Sequence, residues 1–362
     1  HDEPDYVPFA ECDPQRNLAA HIHMELGDVD EALKAADYVF EGEYEVPRVQ
    51  QTPIEPFVCI TYWDEDDRMI IRTSTQVPFH ARRILAPVLG LPIKRIRVIK
   101  PRVGGGFGNK QEVMIEDICA HLTIATKRPV KLEYTREEQF MASTSRHPMI
   151  VKMRTGVMKD GRIVANEMRA LSDTGAFGNH ALTVNGNTGH KSMSLYPANK
   201  GADGQSNIRF VAEVVYTNKP TSGAYRGYGV PQGFFPVESH MERIAHKLGL
   251  DPLQFRLMNV VQAGEEHPMS KVFSEGREAR GELIRTNAIV ECARLGAELI
   301  GWNQPDTATR RHGDTESRFP VSPRPPFSVS GKGVALVMQG TAIPNLDMGA
   351  ASIKMNDDGS FN

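Results

Sequence analysis

The run RVGGGFGNKQE (residues 102–112) sets Gly104, Gly105, Gly106 and Gly108 around one aromatic, Phe107. Glycine serves backbone that takes φ > 0 or passes close to another group. Glycines packed around a bulky ring therefore describe either a loop whose main-chain amides face a ligand or a tight strand-to-helix turn. Residues 96–100 feed into the run with strand character, and 113–122 leave it with helical apolar spacing.

Outward from this loop, upstream, Asp28 caps a short helix over 28–36, and strands are expected at 39–46, 57–63 and 69–73. TSTQ (73–76) ends the last of these, and a helix over 80–89 closes at Gly90-Leu91-Pro92. Downstream come a strand at 130–134, a short helix at 137–141 and a hairpin, 150–156 with 162–170, around Asp160-Gly161. Residues 172–207, rich in Gly, Asn and Ser, read as a long irregular stretch, the kind that covers a site. A strand at 210–216 leads to a second glycine-and-aromatic loop, GAYRGYGVPQ (223–232). Helices follow over 237–248, 251–261 (with Asp251-Pro252 at its start) and 288–300. Residues 303–326 have loop composition, and strands are expected at 334–338 and 351–355. The whole reads as α+β, with mixed sheets and packed helices.

With 362 residues, 40% hydrophobic and 24% charged, the chain can build a real core. Its net charge of −3 carries no nucleic-acid footprint, and its apolar runs fall short of a membrane span. It opens without a starting Met or a basic-then-apolar leader, which points to a fragment or a processed chain. Cys12, Cys59, Cys119 and Cys292 form no C-x-x-C pair, so free buried thiols in a cytoplasmic protein are expected rather than disulfides or a cysteine-held cluster. His21 and His23, spaced H-x-H without further ligands, read as surface. A dinucleotide G-x-G-x-x-G fails at Asn109, and no P-loop, H-E-x-x-H or G-x-S-x-G occurs.

Together, TSTQ (73–76), RVGGGFGNKQE (102–112) and AYRGYGVPQ (224–232) resemble the molybdenum-binding subunit of the xanthine dehydrogenase and aldehyde oxidase family. QTPIEP (51–56) and FPVESHMERIAHKLGLDP (235–252) fit it as well, and the wording is most similar to bacterial purine-oxidising members. The resemblance implies the first molybdopterin-binding domain of the xanthine oxidase-type fold over 28–302. Residues 1–27 would be a remnant or linker of a preceding α/β region, 303–326 a flexible loop, and 327–362 strands leading into a second such domain outside the chain. It further implies hydroxylation of an aromatic N-heterocycle, a purine such as xanthine or hypoxanthine, with oxygen from water. The implied cofactor is molybdenum on molybdopterin in its cytosine dinucleotide form, with no protein side chain as a direct metal ligand. Implied partners are a second molybdenum-binding portion carrying the base glutamate, a two-iron two-sulfur subunit and an FAD subunit, with no nucleic acid and no membrane.

Residue by residue, Gln76 matches the glutamine whose amide donates to a molybdenum oxygen. Gly105, Gly106, Phe107 and Gly108 match the backbone over the pterin and metal. Tyr225 and Arg226 match the second cofactor loop, with the Arg226 main-chain N–H approaching the metal ligands; Gln76 and Arg226 are thereby the catalytic candidates. Tyr228 matches an aromatic that stacks on substrate, and Gln111 stands where many purine-oxidising members carry a substrate-binding glutamate. Gln can donate and accept but supplies no negative charge. Glu112 is expected to point elsewhere, and near residues 185–195 only His190 and Lys191 could replace a substrate-binding arginine. Nicotinate or aldehyde dehydrogenation, and a non-catalytic molybdopterin-binding module, stay open as alternatives. Carbon monoxide oxidation is excluded, since no cysteine lies in AYRGYG.

Overall fold

The computed structural model describes residues 11–273, 279–304 and 331–338. The chain enters through β1 (Glu11–Asp13) and β2 (Leu18–Leu26), forms α1 (Val29–Ala35) and runs along β3 (Tyr38–Val46). Next come β4 (Val58–Trp63), β5 (Met69–Thr73), α2 (Pro78–Val88), β6 (Ile96–Ile99), α3 (Glu116–Thr126) and β7 (Val130–Glu133). Past α4 (Arg136–Ala142) follow β8 (Met149–Val157), β9 (Ile163–Gly175), α5 (Ala181–Ser192), β10 (Ile208–Tyr216), α6 (Val230–Leu248) and α7 (Pro252–Asn259). A two-stranded ribbon, β11 (Glu266–His267) with β12 (Glu282–Leu283), precedes α8 (Ile289–Leu299).

A six-stranded sheet, ordered β1-β2-β10-β9-β8-β3, is antiparallel except where β10 runs parallel to β9. A four-stranded sheet, ordered β6-β5-β4-β7, has one parallel pair, β5 with β6. Both sheets are mixed and both carry helices, which is the α+β architecture expected. The larger core packs Met153, Met168 and Phe210 of the big sheet against Val237, Met241 and Ile244 of α6. The smaller joins Cys59 and Ile71 to Leu85 of α2 and Cys119 and Ala120 of α3. Each such fully buried side chain stabilises by roughly 1.5–3 kcal/mol relative to exposure. β9 is buried on both faces because Val29 and Leu33 of α1 cover Ala165.

Local rules explain several boundaries. Asp28 accepts the Glu31 N–H at 3.0 Å at the start of α1, and Asp251 accepts the Gln254 N–H at 2.8 Å at the start of α7. Asp251 Oδ2 also accepts from Trp302 Nε1 at 2.8 Å. Asp251→Ala is therefore expected to cost about 1–2 kcal/mol in urea unfolding, and Asp251→Asn clearly less; equal losses would mean that the cap contributes nothing. Between α6 and α7, Arg256 is 1% exposed and donates to Glu238 Oε2 at 2.7 Å and Glu242 Oε2 at 2.8 Å. Tyr196 and the Leu336 N–H complete the bonding of the Glu238 carboxylate, as a buried charge requires.

Elsewhere the structure departs from the sequence expectation. Residues 18–26 are no lead-in: β2 pairs along its length with β10, burying Ala20, Ile22 and Met24. The stretch 172–207 is not irregular but contains the end of β9 and the buried helix α5. Its glycines belong to packing: a Cβ at Gly186 would lie 2.2 Å from the Phe273 ring, and one at Gly189 2.3 Å from the Phe210 ring. α3 begins at Glu116 rather than 113 because the Glu116 carboxylate accepts the Met114 and Ile115 N–H groups and holds both outside the helix. α6 begins at Val230 rather than 237, with Pro231 in its first turn, where a missing N–H is no loss. Residues 334–338 are not a strand, Cys292 is exposed rather than buried, and 351–355 lie outside the described residues. Among the described residues no helix is long and apolar enough to cross a membrane.

Candidate functional site

The two glycine loops hang from different sheets and meet. The first links β6 to α3, and the second links β10 to α6. The Arg226 N–H donates to the Phe107 carbonyl at 3.0 Å, and a Cβ at Gly108 would sit 2.6 Å from the Ala224 carbonyl oxygen. Gly108 (φ 97°) thus meets both demands that only glycine satisfies, a left-handed backbone and a bare approach.

Side chains no single motif singled out hold this junction. Gln51 Nε2 donates to the Ala224 carbonyl at 2.6 Å, and its Oε1 accepts from Asn109 Nδ2 at 3.1 Å. Gln139 Nε2 closes the chain onto Asn109 Oδ1 at 2.6 Å. Glu55 clasps the first loop through the Gly104 N–H (2.6 Å) and the fully buried Lys110 Nζ (2.8 Å). Burial pushes the Lys110 pKa down, with Glu55 opposing the shift. These contacts give QTPIEP a physical role: its Gln51 and Glu55 shape the cradle.

Gln76 sits beneath the first loop. Its Oε1 accepts the Gly108 N–H at 2.9 Å and the Lys110 N–H at 3.3 Å, while its own N–H donates to the Lys110 carbonyl at 2.8 Å. Two N–H donors on one amide atom identify it as the oxygen, so Nε2 is left as an outward donor. A Cβ at Gly106 would fall 2.4 Å from Gln76 Oε1, so a bare residue there is what lets the amide reach the loop. Phe107, at φ 54°, holds its ring about half exposed beside it.

In the second loop the Tyr225 ring lies 4.0 Å from the guanidinium of Arg146, which is buried and donates to the Arg226 carbonyl (3.1 Å) and Gln232 Oε1 (3.0 Å). Arg146, missed in the sequence, is thus the brace of this loop. The Arg226 N–H, expected to face the metal ligands, is committed to the Phe107 carbonyl, and its side chain is exposed. Gln111 is half-buried and its side chain bonds to no other described residue.

Tyr228 (φ 34°) is half-buried, and its hydroxyl is hydrogen-bonded to His180 Nδ1, the rings standing edge-on with centroids 5.4 Å apart at 87°. His180 Nε2 lies 2.8 Å from Glu112 Oε1, an ionic contact that is off-axis for a hydrogen bond. Glu112 therefore points into the site rather than elsewhere. Below lies His147, fully buried, with both ring nitrogens unpartnered and its pKa pushed down to about 3 by burial. His190, held as a possible substrate cation, is instead buried and stacked on His267 at 4.5 Å.

The family described as molybdopterin cofactor-binding domain matches residues 9–260. The "Probable hypoxanthine oxidase XdhD" of Escherichia coli (strain K12) is 38% identical over 349 residues, 96% of this chain and 34% of that protein. The nicotinate dehydrogenase large molybdopterin subunit of Eubacterium barkeri is 39% identical over 248 residues, 68% of this chain and 57% of that protein. The solved aldehyde oxidoreductase of Desulfovibrio gigas superposes with a TM-score of 0.71 at 27% identity, covering 81% of this chain and 31% of that one. The chain thus spans about a third of XdhD and of the aldehyde oxidoreductase.

Proposed function

Because the chain belongs to the molybdopterin cofactor-binding domain family, matched over residues 9–260, we propose that it is the first molybdenum-binding part, over 28–302, of a purine hydroxylase. Its substrate would be an aromatic N-heterocycle such as hypoxanthine or xanthine, oxidised in the cytoplasm with oxygen from water. The observation that carries this reading is the Gln76 amide, fixed by two backbone N–H groups so that a neutral donor is presented beside bare backbone. That combination fits a pterin-held metal with anionic oxygen ligands: the donor is uncharged, and glycine leaves room for a fused ring system.

When bound, the cofactor supplies the oxygen-transfer and electron chemistry. Gln76 Nε2 donates to negative charge as it develops. The Gly104–Gly108 backbone admits the pterin, and the exposed Phe107 ring lowers water access on one side. Gln111, half-buried and uncommitted, bonds substrate heteroatoms, while Tyr228 offers the ring face and Tyr225 with Arg226 shapes the second wall. The cytosine dinucleotide form, a second molybdenum-binding portion with the base glutamate, and iron–sulfur and FAD subunits complete this proposal. A specific observation favours a second reading: Gln111 brings no charge to the substrate, and one relative of 39% identity is a nicotinate dehydrogenase.

The test is the chain co-purified with those partners, assayed for molybdenum, pterin fluorescence and transfer of labelled water oxygen to hypoxanthine, nicotinate and an aliphatic aldehyde. Molybdenum near stoichiometry with labelled purine product is expected. Labelling of nicotinate alone selects the second reading, and bound pterin with no product from any substrate leaves a binding module.

A further inference from the structure

Eight non-glycine residues among those described take positive φ, and Phe107, His180 and Tyr228 among them converge on this one site. Left-handed backbone at such residues costs on the order of 1–3 kcal/mol each and persists only where the surroundings impose it. His180 and Tyr228 are joined to each other, and Glu112 backs His180 from the end of the first glycine loop. The Glu112 carboxylate is wedged against the second loop, since a Cβ at Gly223 would lie 3.0 Å from its Oε1. Three segments remote in sequence are thus registered on one side-chain row, and none of the three side chains is needed for the core.

The chemistry of the row has a direction. A carboxylate beside Nε2 holds the imidazole proton on that nitrogen, which leaves Nδ1 as a lone-pair acceptor. Nδ1 can then be satisfied only by the Tyr228 hydroxyl donating its hydrogen. With that hydrogen committed, the phenolic oxygen meets any further group as an acceptor. We propose that Glu112 and His180 are positioning residues that turn the Tyr228 hydroxyl into a hydrogen-bond acceptor for a ring N–H of the substrate. This deepens, and rests on, the N-heterocycle reading. It adds that the site selects lactam-type rings, which carry N–H groups, over N-substituted rings of the same shape. Gln111, able to donate and accept, takes either partner on its own side.

The experiment compares kcat/KM for hypoxanthine with that for its ring N-methyl analogues in the assembled enzyme. Wild type should prefer the N–H form of one ring position by on the order of tenfold or more, the size of a hydrogen bond lost with its acceptor left unpaired. Tyr228→Phe keeps the ring and removes the acceptor, so the preference should collapse toward unity, chiefly through KM. His180→Ala frees the hydroxyl to rotate and should lower the preference about as far. Glu112→Gln keeps the shape, removes the charge that fixes the tautomer, and should lower it by a few-fold. Thermal melts accompany each variant, and Glu112→Gln remains informative if His180→Ala does not fold. A purine-oxidising enzyme whose N–H preference is unaltered in Tyr228→Phe and Glu112→Gln overturns this assignment and leaves the proposed function standing. Failure to oxidise any N-heterocycle overturns both.

Discussion

Lowering the pH from 6.5 to 5 is expected to destabilise the fold by up to about 2 kcal/mol for each of His147, His190, His240 and His267. Burial is the main cause for all of them, holding His147 at about 3, His190 at about 2, and His240 and His267 at about 4. Cationic neighbours add to it: His180 and Arg48 beside His147, Lys191 beside His190 and His267, and Arg243 and Lys247 beside His240. Folded-state values below the unfolded one mean that the unfolded chain binds more protons. The stabilisation is therefore complete above about pH 6.5 and drains as pH falls toward the folded values. Four such groups together rival the roughly 5–15 kcal/mol that a domain has in total. Urea midpoints measured between pH 7.5 and 5 should fall steeply, and His267→Gln should flatten the slope by about one proton. A flat profile down to pH 5 would show that these rings are charged or solvated in the fold.

Gln76→Ala in the assembled enzyme is expected to lower kcat by about 10²–10³, the usual loss for one preorganised donor to developing negative charge. Gln76→Glu should be at least as damaging, because it places an anion where a donor stood. Either change also withdraws the acceptor for the Gly108 and Lys110 N–H groups, so molybdenum content and a melt must accompany the rates. A loss that merely follows molybdenum content would make Gln76 a loop anchor, and an unchanged kcat would make it a strand-end cap.

Much of this was legible because it is local. The Asp160-Gly161 turn, the Asp28 and Asp251 caps and the two glycine loops each declare themselves within a few residues. What stayed hidden depends on distance in sequence. β2 is placed by β10, some way along the chain, and the Gln51, Asn109 and Gln139 chain crosses elements with no shared pattern. Whether the Arg226 N–H meets a ligand or the Phe107 carbonyl cannot be read from AYRGYG, since the acceptor lies in the other loop. α5 was concealed by composition: glycine and asparagine disfavour helix on propensity, and tertiary contact overrode them.

That helix also governs how such a chain can diversify. Phe273 and Phe210 fill the space that any side chain at Gly186 or Gly189 would require. In a close-packed interior neither partner can change volume alone. A larger residue on the helix is admissible only with a smaller one opposite, so substitution here must proceed by compensated pairs, and a single step in either direction passes through a strained or hollow intermediate.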